Sequence, residues 1–164
     1  MSGEKLNLNR LVSVLDEELA LYRKLCNLSL QKKEAILKDN IELLTKIIGE
    51  ERILIVEAER LESKRLSEVV KIAQELGLNG DIKLSDLRSF LDSEEFSPLE
   101  ERANQLKAVL NELKEINETN RYLVESTLKY ISYFIDSLMS SLTRPTYSRG
   151  KQSAPLFSLF QKEA

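Results

Sequence analysis

The three prolines of this 164-residue chain stand at positions 98, 145 and 155, which leaves two long stretches, 1–97 and 99–144, free of the residue that breaks an α-helix. Proline does so by removing a backbone donor and by driving its ring into the preceding turn. In both stretches the apolar residues recur at three and four positions, the period of one helix face. Leu8, Val12, Leu15, Leu19, Tyr22, Cys26 and Leu30 make one such stripe, and Val14, Leu21, Leu25 and Leu28 make a second on the same segment. A helix with apolar surface on two sides must be contacted by more than one neighbour. Cys26, on the first stripe and with no basic group placed to lower its pKa, reads as a small core residue.

Start and stop signals divide the chain. Asp39-Asn40-Ile41-Glu42 reads as a capping box with Asp39 as N-cap and Glu42 three residues on, so the first helix ends near Lys38. The second is expected from Asn40 to Leu76, with Leu44, Ile48, Ile55, Ala58, Leu66, Val69, Ala73 and Leu76 on one face and with Glu51 and Glu62 interrupting it. Gly77 suits the left-handed position after a helix, and Asn79-Gly80 a turn. Ser85 is expected to cap a short connecting helix that ends before Phe96. Ser97-Pro98-Leu99-Glu100 is the clearest start signal, with Ser97 as N-cap and Pro98 at the first helical position. From there to Thr143 nothing stops a helix of roughly 45 residues, about 65–70 Å long. The expected fold class is all-α: an antiparallel helical bundle or coiled-coil hairpin of long helices with a short connecting helix over residues 1–143, then a flexible C-terminal tail over 144–164.

Several function classes drop out on composition. There is no histidine, so the commonest general base, the usual transition-metal ligand and every Ser-His or Cys-His pair are missing. The five glycines are scattered and form no phosphate loop. Twenty-four basic and 27 acidic side chains are interleaved and leave a net charge of −3, which gives no electrostatic footprint for nucleic acid or an anionic membrane. No apolar run spans a bilayer and "MSGEKLNLNR" is no secretory signal, so the expected location is the cytoplasm. A lone cysteine fits a reducing compartment. The reading is a protein without catalytic residues, cofactor or metal, and with no nucleic-acid or membrane-inserting role.

The long last helix carries a stripe of Leu99, Leu106, Leu110, Leu113, Asn117, Asn120, Val124, Leu128, Ile131, Ile135, Leu138 and Leu142. Two asparagines therefore stand where leucines are expected. Either they fix register, as a polar residue does at a coiled-coil core position, or they line a groove that the protein's own helices leave under-filled, where their amides can bond a partner's backbone. Tyr122, Tyr130 and Tyr133 point away from the seam and are covered either by another helix, the first being the candidate, or serve as a docking surface. The tail holds Tyr147 and an apolar "LFSLF" run with Leu156, Phe157, Leu159 and Phe160, a segment of the kind that orders on a surface.

The segment "LKEINETNRYLVESTLKYI", followed by a Pro-Thr-Tyr turn with a later glycine and glutamine, resembles the FlgN family of flagellar type III export chaperones. The layout agrees over nearly the whole chain: a leucine-rich first helix, a helix opening with Asp-Asn-Ile-Glu, and the two-asparagine segment in the last. The resemblance implies a cytoplasmic chaperone, without catalytic activity, that keeps hook-filament junction proteins unassembled until export. It places Asn117, Asn120, Leu123 and Val124 in the family's asparagine-leucine segment and Tyr147 at the tail tyrosine that docks on the export gate. Together with the stripe, the client-binding residues are expected to be Leu113, Asn117, Asn120, Leu123, Val124, Leu128, Ile131, Ile135 and Leu138, with Tyr147 for the export-gate component and Leu156, Phe157, Leu159 and Phe160 as further tail contacts. Weak self-association is expected without a client. The reading from a different class is a constitutive structural coiled coil that acts as an oligomeric scaffold through the same stripes.

Overall fold

A computed structural model describes residues 8–143. It is all-α, with no strand among the described residues: α1 (Asn9–Leu37), α2 (Ile41–Glu75), a 3₁₀ helix (Leu84–Ser89) and α3 (Ser93–Leu142). By its internal contacts the chain divides into two compact units, Met1–Asn120 and Arg121–Ala164. The segment 144–164, expected to be a tail, lies outside the described residues.

In the first unit the contacts fix the helix directions. Glu18 pairs with Arg65 and Lys32 with Glu51, so residue numbers fall along α2 as they rise along α1, and the two helices are antiparallel. Asp16 pairs with Arg102, Cys26 Sγ lies 3.6 Å from the Val109 carbonyl, and Ser29 meets Asn117, so numbers rise together and α3 runs parallel to α1. Both sides of α1 are thereby used: Leu11, Leu15, Leu19, Cys26 and, on the second stripe, Val14, Leu21, Leu25 and Leu28 are all buried. Each such leucine or valine contributes about 1.5–3 kcal/mol of transfer free energy against the unfolded chain.

The core forms three successive layers. At one end Leu8, Leu11 and Leu15 meet Val69 and Ile72, and the 3₁₀ helix closes the layer with Leu87, followed by Leu91, Phe96 and Leu99. In the middle Leu21 and Leu25 pack on Ala58 and Leu61, with Leu113 of α3 against them. At the other end Leu28, Ala35 and Ile47 make a small third layer.

Four expectations about boundaries and faces are corrected. Asp39 is not the N-cap of α2. It takes a left-handed φ of 51° as the residue after the α1 cap, with Asn40 N–H bonding the Ala35 carbonyl at 2.9 Å, and a residue spent in that way cannot open the next helix. Asn40 does so instead, its Oδ1 accepting the Leu43 N–H at 3.0 Å. Gly77, at φ 70°, performs the same service after α2, as expected: Leu78 N–H reaches the Ala73 carbonyl and Gly77 N–H the Gln74 carbonyl. Ser85 lies inside the 3₁₀ helix rather than capping it, and the Asp86 carboxylate accepts the Lys83 N–H at 2.8 Å.

The third correction is that α3 begins one turn before Ser97. Glu95 reaches back to the Asp92 N–H at 3.4 Å, and starting there brings Phe96 and Leu99 onto the core, which offsets the one backbone hydrogen bond that Pro98 cannot make inside the helix. The helix is 50 residues long, about 75 Å. The fourth concerns α2, where the expected face is only partly the packed one. Ala58, Val69 and Ala73 are buried as expected and Leu44 and Leu76 pack against the core, but Ile47, Leu61 and Ile72 join them, whereas Ile48, Ile55 and Leu66 are 38%, 49% and 51% exposed. Two apolar stripes overlap on α2, and the one that wins carries polar side chains with partners on α1.

Candidate partner-binding face

Those partners form a polar node in the first unit. Ser29, buried on α1, sends its Oγ to within 3.2 Å of Glu51 Oε1 and 3.1 Å of Asn117 Oδ1. Lys32 Nζ clamps both Glu51 oxygens at 2.8 and 2.7 Å. Asn120, 4% exposed, donates from Nδ2 to the Ser29 carbonyl at 2.8 Å. A hydroxyl has one proton and cannot donate to both acceptors; with the Asn117 amide turned over, Asn117 donates to Ser29 Oγ and Ser29 donates to Glu51. The node joins all three helices, and Glu51 interrupts the seam as expected, whereas Glu62 is exposed. Both asparagines contact the protein's own α1, Asn120 from a buried position and Asn117 from an exposed one. Leu113, also expected on a client groove, packs in the middle core layer.

A second buried charge lies further along the same pair of helices. Glu18 is 2% exposed and accepts from Arg65 Nε at 3.1 Å through Oε1, while its Oε2 has no protein partner. Burial pushes its carboxyl above the ordinary range and the Arg65 guanidinium only partly offsets that. Cys26 is also raised by burial, which makes it an inert core thiol.

The second unit reads differently. Its described part is the end of α3, and the same stripe continues there without cover among the described residues: Val124 is 40% exposed, Leu128 59%, Ile131 46%, Ile135 48% and Leu138 46%. Leu123 is half-buried. Phe134 and Met139, which the strict seam spacing passed over, are 55% and 43% exposed on either side of it. Drawing the helix as a wheel rather than as a seam reveals them. Tyr122, Tyr130 and Tyr133 are exposed as well, and among the described residues no helix covers them. Monomeric proteins seldom leave an apolar surface of this length open, and such surfaces mark interaction sites. Tyr147, Leu156, Phe157, Leu159 and Phe160 lie outside the described residues.

A family model described as FlgN protein matches residues 1–155. The chain belongs to the FlgN family. FlgN proteins are flagellar export chaperones. The chain is similar to the uncharacterized protein YvyG of Bacillus subtilis (strain 168), with 28% identity over 129 residues that cover 79% of each chain. No solved structure matches the chain. Among the described residues of this FlgN-family chain, no helix is long and apolar enough to cross a membrane.

Proposed function

We propose that this FlgN-family protein is a cytoplasmic flagellar type III export chaperone that holds hook-filament junction proteins through the apolar face of α3 between Leu123 and Leu138, and delivers them to the export gate. The observation that supports this reading most is the exposed run Val124, Leu128, Ile131, Ile135 and Leu138, which has helix-in-groove spacing but no partner among the described residues. Leu113, Asn117 and Asn120, used inside the first unit, set the register of α3 rather than touch the client. Client helices that are prone to assemble bury their apolar faces on this surface and stay soluble. Tyr147 presents a ring and a hydroxyl for transient docking on the gate component, with Leu156, Phe157, Leu159 and Phe160 as further contacts.

The test is calorimetric titration of the full chain with a hook-filament junction protein. Ile131→Asp combined with Leu138→Asp places two charges on the face and is expected to weaken binding by at least about 100-fold, since an unpaired charge in an apolar interface is costly. Helicity and thermal midpoint should stay within error of the wild type, because both side chains are exposed. Undiminished binding in the double variant rejects the face. A dimer that persists on dilution and ignores the junction protein favours the constitutive scaffold instead. Tyr147→Ala is expected to leave client binding intact and lower affinity for the gate component.

A further inference from the structure

On the reading that α3 receives a client, we infer that the client supplies two helices to this face rather than one, and that both contact lines are free of charge. The inference rests on the width of the apolar arc. At about 100° per residue, Val124 and Ile131 lie on its centre line, Phe134 falls about 60° to one side, and Leu128 and Met139 fall about 60–80° to the other. With Leu123 at the far edge, the arc covers roughly 160°. A single partner helix in a coiled coil uses two positions in seven, a narrow seam. An arc this wide is that of a helix inside a bundle, with one neighbour in the groove on each side of the central ridge.

Charge placement points the same way. Between residues 126 and 142 the only charged side chains are Lys129 and Asp136, and both fall on the far side of the wheel. The uncharged residues interspersed with the stripe are Thr127, Ser132 and Ser141. Nothing there can pair with flanking Glu or Lys on a partner, so a client helix that carries them would lose their hydration for no return. A second copy of the chain fits less well. Two copies paired along Val124 and Ile131 would leave Phe134 open on one side and Met139 open on the other. The chain's own apolar run at 156–160 is also too short: five residues span at most about 17 Å extended, against about 27 Å from Val124 to Leu142.

The experiment uses the full chain and a full-length junction protein, with Phe134→Ser and Met139→Ser on the two flanks and Ile131→Ser on the ridge. All three side chains are exposed, so the fold is not at risk. Expected are at least about tenfold losses of affinity for each of the three variants, and less than about a threefold change in wild-type affinity between 50 and 500 mM salt. A loss on the ridge and on one flank, with the other flank silent, overturns the two-helix inference while leaving the client face in place. Silence of all three variants overturns the client face itself. A salt-induced loss of tenfold or more overturns the uncharged contact lines. A stable client-free dimer that Phe134→Ser dissociates overturns the inference in favour of a second copy.

Discussion

Before Asn120 and after it, α3 repeats the same spacing of apolar residues, yet Leu99 is fully buried and Leu128 is 59% exposed. The earlier stretch meets α1, α2 and the 3₁₀ helix; the later one belongs to a unit whose described part is a single helix. Periodicity therefore says that a helix has a face, and not that the same chain supplies what covers it. On the proposed function the distinction matters, because a face completed in cis could not accept a client.

The largest test of that contrast is a pair of identical substitutions. Leu11→Ala, at a fully buried position, is expected to cost about 3 kcal/mol, the transfer loss plus the cavity left behind. Leu128→Ala, on the open face, is expected to cost under about 0.5 kcal/mol. Urea unfolding followed by circular dichroism reads both. Comparable losses would mean that residues 121–142 are stabilised by packing, and the proposed client face would lose its basis.

Asn120→Ala comes next and asks what holds α3 to α1. It removes the bond to the Ser29 carbonyl and side-chain packing at a 4%-exposed position, at about 1–2 kcal/mol. Asn117→Ala, at an exposed position with one contact to Ser29, should cost under about 0.5 kcal/mol. A reversed order would place the register device at Asn117. Client affinity should be nearly unchanged in either variant, which separates the node from the face.

Much of the first unit was legible in the sequence. The double stripe of α1 announced two neighbours, and Gly77 announced the end of α2. The phase of α2 was not legible, because Ile48 and Ile55 are as apolar as Ile47 and Leu54, and a count of apolar residues ranks the two stripes alike. What decides between them is Glu51, which reads as an interruption until Lys32 and Ser29 are found opposite it, and Arg65, which reaches Glu18 from the same side of α2. The contacts of the asparagines were not legible for the same reason: a polar residue in a seam does not show its partner until Ser29 lies across from it. The face of 121–142 was legible as a stripe, and its exposure among the described residues was not, since periodicity alone does not say which part of a stripe is covered.

A smaller effect, of opposite sign, tests whether the main unfolding transition belongs to the first unit. Asp39 holds a left-handed φ of 51° that costs a residue with a Cβ about 1 kcal/mol, and glycine does not meet that cost. Asp39→Gly should raise stability by up to about 1 kcal/mol. The gain should appear in the main transition while proteolytic susceptibility within 121–142 stays as it was. A gain shared by both regions would show that they unfold as one.

The smallest expected effect concerns pH and the buried Glu18. Its carboxyl is raised above the ordinary value of 4.5, first by desolvation, against the opposing pull of Arg65. Between the unfolded and the folded pKa the native state therefore binds more protons than the unfolded one, and stability falls as pH rises through that window. Glu18→Gln keeps an acceptor for Arg65 and cannot ionise. Wild-type stability relative to the variant should thus be highest near and below pH 4.5, decline as pH increases, and level off above the folded pKa. The exposed pair Lys64–Glu17, beside it on the same two helices, offers a control: Glu17→Gln should shift stability by under about 0.5 kcal/mol, because exposed pairs are screened. Urea midpoints for wild type and both variants from pH 4 to 8 measure the difference. A wild-type advantage over Glu18→Gln that grows with pH would mean that the attraction of Arg65 outweighs burial, and would turn Glu18 from a desolvated liability of the first unit into one of its stabilising contacts.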